Sequence, residues 1–289
     1  QYMKERKTYK SKLCAPDVSV LVVDDNVMNL KVIKMMLKPT RMKVSTCASG
    51  AECLELIKKY RYDIILMDHM MPEMDGMETF HRAMLMRDSL CGRSTYIVMT
   101  ANAVMGAREM YLAEGFKDYI SKPVQPEVLE DILMRYIPED KLVDPTVCDE
   151  DRESPTMGAG TVDDTAGVME KQNSDTSWKE VHIDHEKGLT YCGGSEDFLK
   201  EIISMYAADD KRAEIQRAYD EKDWDGYRIL IHTVKSTSRT IGAMELGDEA
   251  QELEKAVKEL DVDMICKMHE SVMASYSAVL DWCRVTTAQ

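Results

Sequence analysis

Residues 63–78 read DIILMDHMMPEMDGME. Ile64 to Met67 are four apolar residues without alternation, the pattern of a strand buried on both faces, and such strands belong to parallel sheets. Asp68 closes the run, where a charge gains nothing from burial. The run YIVM at 96–99 has the same character. Working outward, strands are predicted at Val18–Asp25, Lys43–Cys47, Asp63–Asp68, Thr95–Ala101 and Asp118–Ser121. Between them NLKVIKMMLK, GAECLELIKKY, GMETFHRAMLMR and AREMYLAEG carry helical spacing, and PEVLEDILMRYI closes the block. Five strand–helix repeats predict an α/β doubly wound fold with a five-stranded parallel sheet.

The rest of the 289-residue chain is built differently. Residues 1–138 carry 20 basic and 18 acidic side chains, whereas residues 139–180 carry 4 and 12. That middle stretch, with DEDRESPTMGAGTVDDTAG, has no sustained apolar period and reads as a flexible acidic linker. Beyond it lie helical patterns: EDFLKEIISMYAADDKRAEIQRAY, WDGYRILIHTVKSTSRTIG, ELGDEAQELEKAVKEL and DMICKMHESVMASYSAVLDWC. They predict an all-α antiparallel helical bundle. The expected organisation is a basic N-terminal tail (1–16), an α/β domain (17–138), the linker (139–180) and the bundle (181–289).

A net charge of −15 argues against nucleic acid and anionic membrane surfaces as partners. No apolar run reaches the roughly 18 residues of a membrane-spanning helix. The basic start lacks the apolar segment of a secretion signal, and it begins with Gln, as an excised piece would. The 23 Met serve as core filling. The eight Cys include no CxxC pair, so neither a zinc site nor a disulfide framework is expected, in keeping with a cytoplasmic location.

Ligands of open α/β sheets sit beyond the carboxyl ends of the strands. Those ends carry Asp24 and Asp25, Asp68, Thr100, and Lys122 before Pro123. Taken singly, an acidic pair before a helix is more often a cap, a strand Thr a strand former, and a loop Lys solvated. Together they gather three carboxylates, a hydroxyl and an ammonium. Clustered carboxylates repel unless a cation neutralises them, and an all-oxygen site with room for phosphate suits Mg²⁺. A carboxylate is also a competent nucleophile toward phosphorus.

LVVDDN, DIILMDHMMPEMDGME, IVMTAN and DYISKPV resemble the signature of the bacterial response-regulator receiver domain, whose fold is flavodoxin-like. The resemblance implies Asp68 as phosphoacceptor. It implies Asp25, Asp68 and the Met70 backbone carbonyl as Mg²⁺ ligands, with Asp24 assisting. Thr100 and Tyr119 would be the switch pair and Lys122 the phosphate grip. Met70 and Asn102 occupy positions that tune phosphoryl lifetime in this family. Met70 offers no side-chain hydrogen bond to an attacking water, so fast self-dephosphorylation is not expected. His69 reads as a loop imidazole beside the pocket.

In the bundle, Tyr227, Leu230, Val234 and Ile241 mark an apolar stripe. At 100° per residue His232 lies about 200° from Leu230 and Val234, which predicts an imidazole facing away from the core. Arg228, Lys235 and Arg239 are its helical neighbours, a basic cluster suited to a phosphorylated imidazole. Ser236 is small enough to let another active site approach. HTVKSTSRTIGA resembles the histidine phosphotransfer (HPt) domain, with His232, Lys235 and Gly242 on its H-x-x-K and Gly positions. Ser236 stands where that family usually carries Gly. His185 and His269 lack this setting and read as helix-surface residues.

The pairing resembles the C-terminal end of a bacterial hybrid sensor histidine kinase in a two-component system. It implies a phosphorelay: kinase histidine to Asp68, Asp68 to His232, and His232 to or from another response regulator. The implied partners are a sensor histidine kinase core and a downstream receiver, with the chain on the cytoplasmic side of the membrane and in no direct contact with it. No ATP-binding kinase module is legible, so phosphotransfer alone is expected. A linker of 42 residues gives a reach of roughly 35 Å and an effective concentration near millimolar. Two alternatives remain at this stage: a receiver that switches a protein interface with no relay through His232, and a phosphatase with an aspartyl-phosphate intermediate. The second acid that dehalogenase-type phosphatases carry is replaced by Met70.

Overall fold

The computed structural model describes residues 11–101, 107–144 and 181–287. β1 (Ser19–Val23), β2 (Lys43–Cys47), β3 (Ile64–Asp68), β4 (Thr95–Thr100) and β5 (Asp118–Ser121) form one sheet in the order β2-β1-β3-β4-β5. Every neighbouring pair is parallel. α1 (Val27–Leu37), α2 (Gly50–Lys59), α3 (Gly76–Leu85) and α4 (Ala107–Glu114) lie in the crossovers, and α5 (Pro126–Tyr136) follows β5. Successive strand side chains point to opposite faces. Val20, Val22, Ile64, Leu66, Ile97 and Met99 therefore pack with α1 and α5. Leu21, Val23, Ile65, Met67 and Val98 pack with α2, α3 and α4. This is the predicted doubly wound sheet, and its order reverses between β1 and β3.

The packed chain starts inside the stretch read as a tail. Leu13, Cys14 and Ala15 are buried, and Lys12 N–H donates to Glu130 Oε2 at 2.9 Å. It also runs past residue 138: Val143 N–H donates to the Cys14 carbonyl at 2.9 Å, and Lys141 pairs with Asp63 at 2.7 Å. Apolar Leu13, Cys14 and Ala15 bury as readily as any strand residue, and the basic residues around them masked that signal. Cys14 is disulfide-bonded, and the other described cysteines are free. The core of the acidic linker, 145–180, lies outside the described residues.

From residue 181 the described chain is helical: α6 (His185–Tyr191), α7 (Glu196–Ala208), α8 (Arg212–Glu221), α9 (Trp224–Thr240), α10 (Met244–Lys258) and α11 (Val262–Thr287). The stretch from Glu196 to Tyr219, read as one helix, breaks in two. Asp210 accepts from the Arg212 backbone N–H at 3.1 Å and from its guanidinium at 2.6 Å, ending one helix and starting the next. α9 packs on α8 and α10, α10 on α11, and α11 on α7, giving the predicted bundle. The two units also touch: α1 packs on α7, and Lys31 pairs with Glu201.

Candidate functional site

The acidic pair after β1 is not a helix cap. Asn26 caps α1, its side chain accepting from Met28 N–H at 2.9 Å and Asn29 N–H at 3.3 Å. That leaves Asp24 and Asp25 free to face the sheet end. Asp24 Oδ1 accepts from Asn26 N–H and Asn29 Nδ2, both at 3.0 Å, and its Oδ2 accepts from Lys122 Nζ at 2.6 Å. Lys122 also stands 2.8 Å from Asp68 Oδ1, an ion contact whose angle leaves that oxygen without an aligned hydrogen bond. Carboxylate oxygens of Asp24, Asp25 and Asp68 lie within 4.8 Å of one another.

One ammonium among three carboxylates leaves the pocket short of positive charge. Burial, reinforced by Asp24, pushes Asp25 up to about 6. Burial likewise raises Asp68, and Lys122 offsets this in part. Burial disfavours the Lys122 ammonium, but Asp24 and Asp68 outweigh it and hold Lys122 above the ordinary lysine value. A cluster of hard oxygen donors whose ionised forms are disfavoured for want of a counter-ion is suited to a divalent cation such as Mg²⁺.

The backbone around Asp68 is fixed by close approach. A Cβ on Gly76 would lie 2.1 Å from the Asp68 carbonyl oxygen, so only glycine lets the β3–α3 loop fold back here. Met70 lies half-buried in that loop. His69 sits beside the pocket with its ring 5.5 Å from Tyr111, and it does not belong to the acid cluster. Thr100 ends β4 and receives a hydrogen bond from Tyr111 Oη at 3.2 Å. Tyr119 is half-buried on the α2–α4 side of the sheet. Sequence reasoning missed Tyr111, although a buried tyrosine hydroxyl calls for a polar partner. Asn102 lies outside the described residues.

The bundle corrects the reading of His232. The imidazole is 5% exposed, not solvent-facing, and Lys235 is buried with it. α9 is buried around most of its circumference, so facing away from the stripe does not mean facing water. Glu254 on α10 covers this side. Its Oε1 is 2.9 Å from His232 Nδ1, and its other oxygen pairs with Lys235. Burial opposes the Glu254 carboxylate, yet His232 and Lys235 hold it down at about 2. A carboxylate can only accept, so Nδ1 carries the hydrogen and Nε2 of a neutral imidazole keeps its lone pair. Nε2 is buried with no hydrogen-bond partner among the described residues. The expected basic cluster is smaller, because Arg239 turns to Asp248 at 2.6 Å and Gln251 at 3.0 Å.

Glu254 was legible in principle. It lies four residues after buried Ala250 and three before buried Val257, placing an acid on the core-facing stripe of α10. His269 is a second correction. It is buried, stacks on Tyr219 with centroids 3.7 Å apart, and its Nδ1 bonds Tyr227 Oη at 2.9 Å. It is a satisfied core histidine. His185 is on the surface as expected, 3.0 Å from Glu196.

The two clusters face each other across the contact between α1 and the bundle. His232 acts electrostatically on both Asp68 and His69, and Lys211 acts on Asp25. Tyr191 and Ser236 border the same small void as Asn29, Lys122 and Pro123.

Residues 20–134 match the response regulator receiver domain family, and residues 205–282 match the Hpt domain family. The chain thus carries a receiver domain and, after it, an Hpt domain. Its relatives include histidine kinases, among them hybrid signal transduction histidine kinases of Dictyostelium discoideum. It is similar to signal transduction histidine-protein kinase BarA of Shigella flexneri, 27% identical over 87% of this chain and 25% of that protein. It is similar to sensor protein GacS of Pseudomonas syringae pv. syringae, 25% identical over 83% of this chain and 24% of that one. The chain spans about a quarter of the length of these relatives. Among solved structures it resembles the receiver domain of sensor histidine kinase PA1611 from Pseudomonas aeruginosa PAO1, which holds a magnesium ion in its active-site cleft. That likeness is 34% identical over 41% of this chain and 96% of that domain, with a TM-score of 0.38. Among the described residues no helix is long and apolar enough to cross a membrane.

Proposed function

We propose that Asp68 accepts a phosphoryl group from the histidine of a sensor kinase core and exchanges it with His232, and that His232 exchanges it with the receiver of a separate response regulator. One observation carries this reading: an acid pocket built around Asp68 and Lys122 faces a histidine whose Nε2 is buried without a partner among the described residues.

Asp68 attacks phosphorus through a carboxylate oxygen, forming the acyl phosphate as the donor's N–P bond breaks. Lys122 balances charge on the phosphoryl oxygens, and the Thr100 hydroxyl donates to one of them. Asp24, Asp25, Asp68 and the Met70 carbonyl would hold a Mg²⁺ ion, which when bound would supply further charge neutralisation. In the second step the His232 Nε2 lone pair attacks the same phosphorus. The N–P bond forms as the Asp68 O–P bond breaks, and the electrons return to the carboxylate. Glu254 holds the Nδ1 proton and so keeps Nε2 aimed as the nucleophile, while Lys235 faces the incoming charge. Tyr119 packs beside Thr100's strand as the second member of the switch. The resemblance to sensor kinases supports a setting on the cytoplasmic side of a membrane, and the net charge of −15 disfavours nucleic acid as a partner.

Intact-mass spectrometry after incubation with Mg²⁺ and acetyl phosphate tests the assignments on wild type, Asp68→Ala and His232→Ala. The expected result is a hydroxylamine-sensitive phosphoryl group lost in Asp68→Ala, and an alkali-stable one lost in both variants. Labelled Asp68 with no phosphohistidine in any sample would favour the interface-switch reading instead.

A further inference from the structure

Both reacting groups are hidden in the docked chain. Asp68 is 1% exposed and His232 5%, with Asp24, Lys122, Lys235 and Ser236 buried around them. A phosphoacceptor at a strand end has to be reachable by its donor. The two domains meet beside both groups: α1 packs on α7, Lys31 pairs with Glu201, and Tyr191 on α6 meets Gln125 before α5. The void left at this seam is about 20 Å³, bordered by Asn29, Val32, Lys122, Tyr191, Ser236 and Thr240. That is room for one water at most. A larger cavity of about 540 Å³ opens beside Asp25, between Pro72 and Lys211, but neither Asp68 nor His232 lines it.

We propose that the helical domain caps the acid pocket of its own receiver, so that in the closed chain Asp68 exchanges phosphate with His232 alone. External donors to Asp68 and external acceptors from His232 then compete with this cap for the same surfaces. Each enters only after the seam between α1 and α7 opens. Loading, internal transfer and delivery become mutually exclusive, and the capped acyl phosphate is shielded from water. The proposal rests on the assignment of Asp68 and His232 as the reacting pair.

Two features control the seam. Lys31 and Glu201 form its interdomain ion pair, half-exposed at the rim. Ser236 fills the centre, where a large side chain has no room. The test uses the full chain with Lys31→Glu, Glu201→Lys, the double reversal, and Ser236→Trp. Two rates are read: Asp68 labelling by acetyl phosphate with Mg²⁺, and carbethoxylation of His232 by diethyl pyrocarbonate, mapped by peptide mass. Both single reversals should raise both rates about threefold or more, in line with loss of a rim ion pair plus like-charge repulsion. Ser236→Trp should raise them further, and the double reversal should return them to near wild type. The charge pair keeps the test intact if Ser236→Trp disturbs the bundle. Unchanged rates in both single reversals, or a double reversal as fast as the singles, overturns the cap. A chain that never labels on Asp68 but follows the carbethoxylation pattern upholds the cap and overturns the phosphoacceptor assignment.

Discussion

Asp68 is held in its pocket at a cost to the fold. A carboxyl whose pKa is higher in the folded chain than in the unfolded one loses stability as pH rises through that window, so at neutral pH the ionised Asp68 and Asp25 oppose folding. Asp68→Asn should therefore stabilise the metal-free protein by about 1–2 kcal/mol, raising its melting point by several degrees in EDTA. Mg²⁺ should shrink that advantage. Glu254 has the opposite sign. Its pKa falls from 4.5 to about 2, so its stabilisation is complete above the unfolded value and is lost as pH falls toward 2. Urea unfolding between pH 5 and pH 2.5 should show wild type losing up to about 3 kcal/mol that Glu254→Gln does not lose. The contrast also marks what sequence could reveal at this scale. Asp24, Asp25, Asp68, Thr100 and Lys122 were legible because strand ends are countable along the chain. The burial of His232 was not, because Glu254 comes to it from another helix.

At the scale of elements, the strands were the clearest signal. β2 and β5 lie where alternation and apolar runs put them, and β1, β3 and β4 are each trimmed at their ends. Trimming removes Asp24 and Asp25 from β1, as expected of charged residues that leave the ladder to line a pocket. Helix breaks were harder to see. The turn at Asp209–Lys211 carries no Gly or Pro and depends on the carboxylate of Asp210 gripping Arg212. The end of α9 is defined more tightly. Gly242 has φ +89°, and a Cβ there would meet the Asp184 carbonyl oxygen at 2.3 Å. Gly242→Ala should cost roughly 2–3 kcal/mol or more, measured by urea unfolding, through strain at this backbone position and displacement of the segment before α6. The phosphotransfer motif thus includes a glycine whose task is to seat one end of the helix bearing His232.

At the scale of the whole molecule, two sites of opposite character meet: an acid pocket with one ammonium for three carboxylates and a histidine whose Nε2 has no partner among the described residues. Both are buried in the whole chain, and the seam marked by Lys31 and Glu201 runs beside them. The central claim is that phosphate passes between Asp68 and His232 within one chain. The most direct measurement is the rate at which phosphohistidine appears at His232 after Asp68 is loaded, followed across a hundredfold range of protein concentration. The account predicts one first-order rate constant at every concentration, with Asp68→Ala and His232→Ala chains failing to match it when mixed. A rate that rises in proportion to concentration, and that the mixed variants reproduce, would contradict it.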